Sequence, residues 1–198
     1  MVATAEINNR KDILLLLLYS PGVGKRRNEP IEGKTRLVKM LFLFKTEVLP
    51  HFRRGTKITE ENFYEFFPWD FGPFSAQVYD DIAFFMLRGF VESSAAEGGG
   101  LPESAAEWEK WLQESGARET ADEIDEYEEE SFSLTEEGVE FTKKLYDTLS
   151  NSQKQLLVEF KARLVQAPLR AILKYVYTKY PDSAERSKIR EEIVGRSF

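Results

Sequence analysis

Apolar and polar positions alternate along this chain in periods that change from segment to segment. Between residues 9 and 19, Ile13, Leu14, Leu17 and Leu18 recur at helical spacing and predict a buried helix, closed by Pro21 and Gly22. Residues 20–33 lose the period and read as a polar, basic loop. The stripe Leu37, Met40, Leu41, Phe44 and Val48 predicts a second helix over 34–49, with Thr35 as its N-cap and Pro50 as its stop. Residues 58–72 are aromatic-rich and predict a short turn capped by Thr59, an extended piece through Phe66 and a turn at Gly72-Pro73. Ser75 then caps a third helix, 76–88, with Val78, Ile82, Phe85 and Met86 inward and Gly89 as its C-terminal signal.

The pattern then shortens. "FVESS" at 90–94 is a short strand, and "SFSLTEEG" at 131–138 is a second one that ends at Thr135, the cap of a helix over 136–149. There the strand must become a helix at once, so a threonine cap with acids in the first turn satisfies both orphan N–H groups and the helix dipole. Between the strands, 95–128 reads as a solvated loop with one weak helix, 103–114, carrying Trp108, Trp111 and Leu112. Two more helices follow. Residues 152–165 place Leu156, Leu157, Phe160 and Leu164 on one face, and 168–180 do the same with Leu169, Ile172, Leu173, Val176 and Tyr177, between Pro168 and Pro181.

Three helices, a strand, a long loop, a strand and a helix form the order of a winged helix. The expected fold is mainly α with a small antiparallel β-wing. A winged-helix-like domain would span 1–150 with a long acidic insertion at about 95–130, and a C-terminal helical extension, 151–198, would pack on it.

Composition narrows the chemistry. The 198 residues include no Cys and one His, His51, which argues against thiol catalysis, Cys-ligated zinc and a His-based triad, and fits a reducing cytoplasm. The apolar run at 13–18 is too short to span a bilayer. The net charge of −7 hides an asymmetry. Residues 25–57 hold ten Lys or Arg (Lys25, Arg26, Arg27, Lys34, Arg36, Lys39, Lys45, Arg53, Arg54, Lys57) against Glu29, Glu32 and Glu47, a sum of +7 that leaves −14 elsewhere. Residues 97–130 are the acidic pole, with thirteen Asp or Glu against Lys110 and Arg118.

Two stretches imitate a phosphate-binding loop, and both fail. A P-loop needs Gly, four residues, then Gly-Lys and a hydroxyl. Before Gly24-Lys25 the first glycine is replaced by Tyr19 and the hydroxyl by Arg26; before Gly33-Lys34-Thr35 the first glycine is replaced by Asn28. No cofactor is expected.

The segments "GKTRLVKMLFLF", "FFPWDFGPFSAQVYDDIAFFMLRGFV", "FSLTEEG" and "PLRAILKYVYTKYPDSAERSKI" together resemble bacterial and archaeal proteins related to the Panacea domain, the fold of SocA-like antitoxins. The step Phe71, Gly72, Pro73, Phe74 and Ser75 after an aromatic run carries most of that resemblance, which covers most of the chain outside 95–128. It implies a winged-helix-like fold and, for some members, toxin neutralisation or an adaptor role toward a protease.

Two functions of different class follow from the residues. In a helix-turn-helix, helix 76–88 would enter the major groove, yet its polar residues are Gln77, Tyr79, Asp80, Asp81 and Arg88, and adjacent carboxylates oppose phosphates. A DNA-binding regulator would therefore have to use Lys25, Arg26, Arg27, Lys34, Arg36, Arg53 and Arg54. A protein-interaction module would instead use Trp108 and Trp111, since aromatic residues anchor interfaces. No constellation names a reaction: Asp80 and Asp81 diverge on their helix, Glu60 and Glu61 read as first-turn acids, Asp70 has no evident partner, and His51 follows Pro50 at a helix end. The expected protein is a cytoplasmic, non-catalytic interaction module, antitoxin- or adaptor-like. Its partner is another protein, with DNA as the alternative, no membrane, and a homodimer left open.

Overall fold

The computed structural model describes residues 6–94 and 130–195. Helix α1, Arg10–Tyr19, starts from a capping box in which Asn9 and Asp12 satisfy each other's backbone donors. Every residue from Ile13 to Tyr19 is buried, so this helix is the axis of the core and has no wet face beyond its first turn.

The loop after it is not featureless. Ile31–Glu32 form strand β1, which pairs antiparallel with β5, Ser131–Leu134 (Ile31 opposite Phe132). Two residues carry no period to read; they become a strand because β5 offers an open edge. Asn28, at φ 60°, extends that pairing with its side chain, which donates to the Leu134 carbonyl (2.8 Å) and accepts from its N–H (2.7 Å). On the other side β5 pairs antiparallel with β4, Val91–Ser93. The sheet order is β1-β5-β4.

The second helix departs from expectation at both ends. α2, Lys34–Leu43, begins at Gly33, whose φ of 79° makes the turn, and Thr35 forms no cap. Pro50 does not stop the helix. A π-helical turn, Phe44–Val48, precedes α3, Leu49–Phe52, and Leu49 donates to the carbonyl of Phe44. Proline has no N–H and its ring collides with the carbonyl four residues back in a regular helix, so a widened turn just before it lets the helix continue. The turn also aims Phe44 into an aromatic nest of Phe52, Phe63 and Phe160, with ring centroids 5.4 to 5.9 Å away.

The Thr59 turn is present, its hydroxyl accepting the Asn62 N–H (3.3 Å). The next turn is displaced. Phe67–Trp69 (β2) and Gly72–Phe74 (β3) form a hairpin whose loop is Asp70-Phe71, so Gly72 and Pro73 lie in the second strand. α4, Ala76–Leu87, follows and ends before Gly89 at φ 69°. Ser75 occupies the N-cap position, but its buried hydroxyl makes no hydrogen bond.

Thr135 caps α5, Glu136–Thr148, as expected, accepting from the N–H of Gly138. α6, Asn151–Gln166, opens on a Ser150–Gln153 capping box, and α7, Leu169–Lys179, starts after Pro168. A short 3₁₀ turn, Pro181–Ala184, and α8, Arg190–Val194, close the described chain. The described residues are thus mainly helical, with a small antiparallel sheet. One cluster of buried side chains runs from Ile7 to Ile193 and includes residues of α1, α2, α4, α6 and α7. Residues 95–129, with the expected helix 103–114, Trp108 and Trp111, lie outside the described residues.

Candidate interaction surface

The family-like step around Gly72 is explained by what it packs on. At φ 84°, Gly72 adopts a backbone that side chains avoid, and a Cβ there would lie 2.6 Å from Cε1 of buried Tyr177. Pro73 gives its carbonyl to Lys39 Nζ (2.9 Å), while Phe74 stands against Phe67, Trp69 and Tyr79. These residues join the hairpin to α2, α4 and α7. The Leu-Thr-x-x-Gly step joins α5 to the sheet in the same manner. Thr135 donates its N–H to Phe90 O (3.1 Å) and its hydroxyl to Gly89 O (2.5 Å), and a Cβ on Gly138 would sit 2.0 Å from the Phe90 oxygen.

The basic segment divides once the fold is known. Arg36, only 3% exposed, donates to the carbonyls of Glu32 (3.1 Å), Leu164 (2.8 Å) and Ala167 (2.5 Å), so it closes the C-terminal end of α6 and is not a surface cation. Lys34 pairs with Glu130 at 2.6 Å, and its charge is spent there. Lys39, also buried, is pulled down to about 7 by its burial. Lys161, from outside the segment, plays the same part: its Nζ donates to Leu18 O (2.8 Å), near the end of α1, and to Glu29 O (2.6 Å). Burial lowers its pKa to about 7, the Glu29 charge opposing. Helix ends leave carbonyls unsatisfied, and in this core the side chains of Arg36 and Lys161 fill such places.

Lys25, Arg26, Arg27, Arg53 and Arg54 remain exposed. Arg27 donates to the Tyr19 hydroxyl (3.0 Å) and lies over the Tyr19 and Tyr146 rings, and Lys154 also faces Tyr146. The loop that imitates a P-loop wraps a carboxylate: Gly24 N–H donates to Glu29 Oε2 (3.1 Å), and that oxygen lies 2.5 Å from where a Gly22 Cβ would stand. The Gly24 N–H is thus taken by the chain's own acid.

Two clusters escaped the sequence reading. Asp81 is buried and bound to Arg10 Nε (2.8 Å), with Lys11 Nζ at 3.5 Å, so it ties α4 to α1. The Tyr64 hydroxyl is held protonated to high pH by burial first and the Asp81 charge second. Glu47, on the π turn, accepts from the Tyr175 hydroxyl (2.7 Å), Lys179 Nζ (3.0 Å) and the Tyr180 hydroxyl (3.0 Å), with Arg163 3.6 Å away. Burial works against its charge, but those hydrogen bonds keep its carboxyl below the ordinary value. The π turn is the signal that could have located it, had Pro50 not been read as a stop. His51 is exposed, and among the described residues no cluster of His, Asp or Glu could hold a metal ion.

The remaining exposed chemistry is apolar. On α4, Asp80, Phe84, Leu87 and Arg88 share the solvent face, at a spacing of one helical turn. Leu87 is 87% exposed, Phe84 38% and Phe141, on α5, 40%. Rings run without a gap from Phe84 through Phe85 and Phe90 to Phe141, with centroids 5.0 to 6.3 Å apart. Arg88 and Lys11 lie over the Phe84 ring.

Among the described residues no helix is long and apolar enough to cross a membrane. No family model, no curated protein and no solved structure matches this chain.

Proposed function

We propose that the chain is a cytoplasmic winged-helix protein-interaction module without catalysis, of the antitoxin or adaptor kind implied by its resemblance to Panacea-domain proteins. The winged-helix reading is supported by the succession α1, β1, α2, α4, β4, β5, with α3 and the β2-β3 hairpin inserted between α2 and α4, and by the sheet order β1-β5-β4, which puts β5 in the middle. In that reading α4 is the reader helix. The observation that carries the functional reading is the solvent face of that helix. It offers Asp80, Phe84, Leu87 and the single cation Arg88, an acid and two apolar side chains for one base, where a DNA reader offers several donors and cations.

The alternative, a DNA-binding regulator, draws on the five cations left exposed at Lys25, Arg26, Arg27, Arg53 and Arg54. Fluorescence anisotropy of the full chain with duplex DNA over a salt series separates the two. Binding at physiological salt should be absent or weak, and reversing Arg26, Arg27, Arg53 and Arg54 to Glu should change little. The partner should be captured by the full chain and lost on Trp108→Ala with Trp111→Ala. Nanomolar, sequence-selective DNA binding that falls with salt by about 0.9 log units per phosphate neutralised would overturn the reading.

A further inference from the structure

The α4 face has a symmetry of its own. Phe84 is at its centre, Asp80 lies four residues before it and Arg88 four after, so the acid and the base sit one turn to either side of the ring. Among the described residues neither the Asp80 carboxylate nor the Arg88 guanidinium forms a hydrogen bond or an ion pair. Arg88 instead lies 5.4 Å over the Phe84 ring. An arrangement of acid, ring and base on one stripe is its own complement when reversed. Two such helices laid antiparallel about a two-fold axis at Phe84 bring Asp80 of each against Arg88 of the other, with the two Phe84 side chains, each under its own Lys11 and Arg88, beside the axis. In that register Leu87, otherwise left in water, comes over residue 81 of the opposite helix, at the edge of the Phe84 contact. An isologous contact requires this self-complementarity, and a surface evolved for an unrelated partner has no need of it.

Taking α4 as a protein-contact helix, as the functional reading does, we infer that its exposed face is a two-fold homodimer interface in which Asp80 and Arg88 pair between copies around Phe84 and Leu87. Phe141, stacked at 5.0 Å on Phe90, continues the apolar surface on α5. The patch is small, which places the dimer among weak, transient contacts and not in the class of obligate interfaces.

Sedimentation equilibrium of the purified full chain tests this without any partner. The parent should show a monomer–dimer equilibrium. Asp80→Arg puts two Arg against their like, and Arg88→Asp two Asp, so each variant should weaken the dimer about tenfold or more. The decisive sample is their mixture, because a heterodimer of Asp80→Arg with Arg88→Asp restores both pairs and should associate about as well as the parent. Leu87→Asp should be monomeric alone and in every mixture. Far-UV circular dichroism checks that each variant folds, which all three exposed positions allow. A parent monomeric at several hundred micromolar, or a mixture no tighter than its components, overturns the inference. Either result leaves the protein-interaction reading intact, because that reading fails only on DNA binding.

Discussion

Replacing Gly138 by Ala sets two known effects against each other. In a helix interior alanine is preferred over glycine by about 1 kcal/mol, so by propensity alone the substitution in α5 stabilises. The tertiary contact reverses the sign. The new Cβ would sit 2.0 Å from the Phe90 oxygen, 2.9 Å from its carbonyl carbon and 3.1 Å from its Cα. These are backbone atoms and cannot rotate away. The start of α5 must retreat by roughly 1.4 Å before ordinary contact is reached. That movement pulls on Thr135, whose N–H and hydroxyl hold Phe90 O at 3.1 Å and Gly89 O at 2.5 Å, and whose hydroxyl also receives the Gly138 N–H. Overpacking of this kind costs about 1–3 kcal/mol, and loss of the cap about 1 more. After the helix gain the net is destabilisation by about 1–3 kcal/mol, a fall in Tm of roughly 2–12 °C for a chain of this size. Urea unfolding followed by circular dichroism measures it, with Glu137→Ala, on the exposed side of the same turn, expected within about 0.5 kcal/mol of the parent. A Gly138→Ala protein as stable as the parent, or more so, would refute the claim that Phe90 forbids a side chain at this step.

Three further outcomes follow from other contacts. Gly72→Ala should lower stability by about 2–4 kcal/mol in the same assay, since positive φ and the Tyr177 ring both oppose a Cβ; a neutral substitution would mean the hairpin yields freely. Lys39 and Lys161, held near pKa 7 when folded and free to bind a proton up to about 10.4 when unfolded, are charged in the unfolded chain and increasingly neutral in the folded one across that window, so stability should rise from pH 7 toward pH 9.5 by up to about 1.4 kcal/mol per pH unit for each. Above pH 10 the buried Tyr79 and Tyr177, whose hydroxyls burial keeps protonated, should turn the curve down; Lys39→Met should flatten the rise, and a parent whose stability falls from pH 7 to 9 would contradict the lysine assignment. Millimolar Mg²⁺-ATP should leave the melting temperature unchanged, because Glu29 occupies the loop and Lys34 is paired with Glu130; a saturable rise abolished by Lys25→Ala would show a nucleotide site after all.

What the sequence determined by itself was local. The buried α1, the stripe of α4, the Thr135 cap and the two C-terminal helices follow from spacing and end residues, because a helix face and a cap are built from neighbours three or four positions apart. The failed phosphate loops were legible for the same reason, a motif being a local count. The tertiary structure decided everything that needed a distant partner. β1 exists because β5 pairs with it, and the π turn carries the helix past Pro50. Arg36 left the list of surface cations when the end of α6 arrived over it, and Glu47 became a hub when three side chains near the end of α7 and Arg163 of α6 closed on it. In the sequence Arg36 and Arg26 are alike; in the fold one meets unsatisfied carbonyls and the other meets water. Likewise the spacing of α4 told which side chains share a stripe, but only the packing of α1, the hairpin and α5 decided that Asp81 is buried while Asp80, Phe84 and Leu87 are exposed, because burial depends on what the rest of the chain covers.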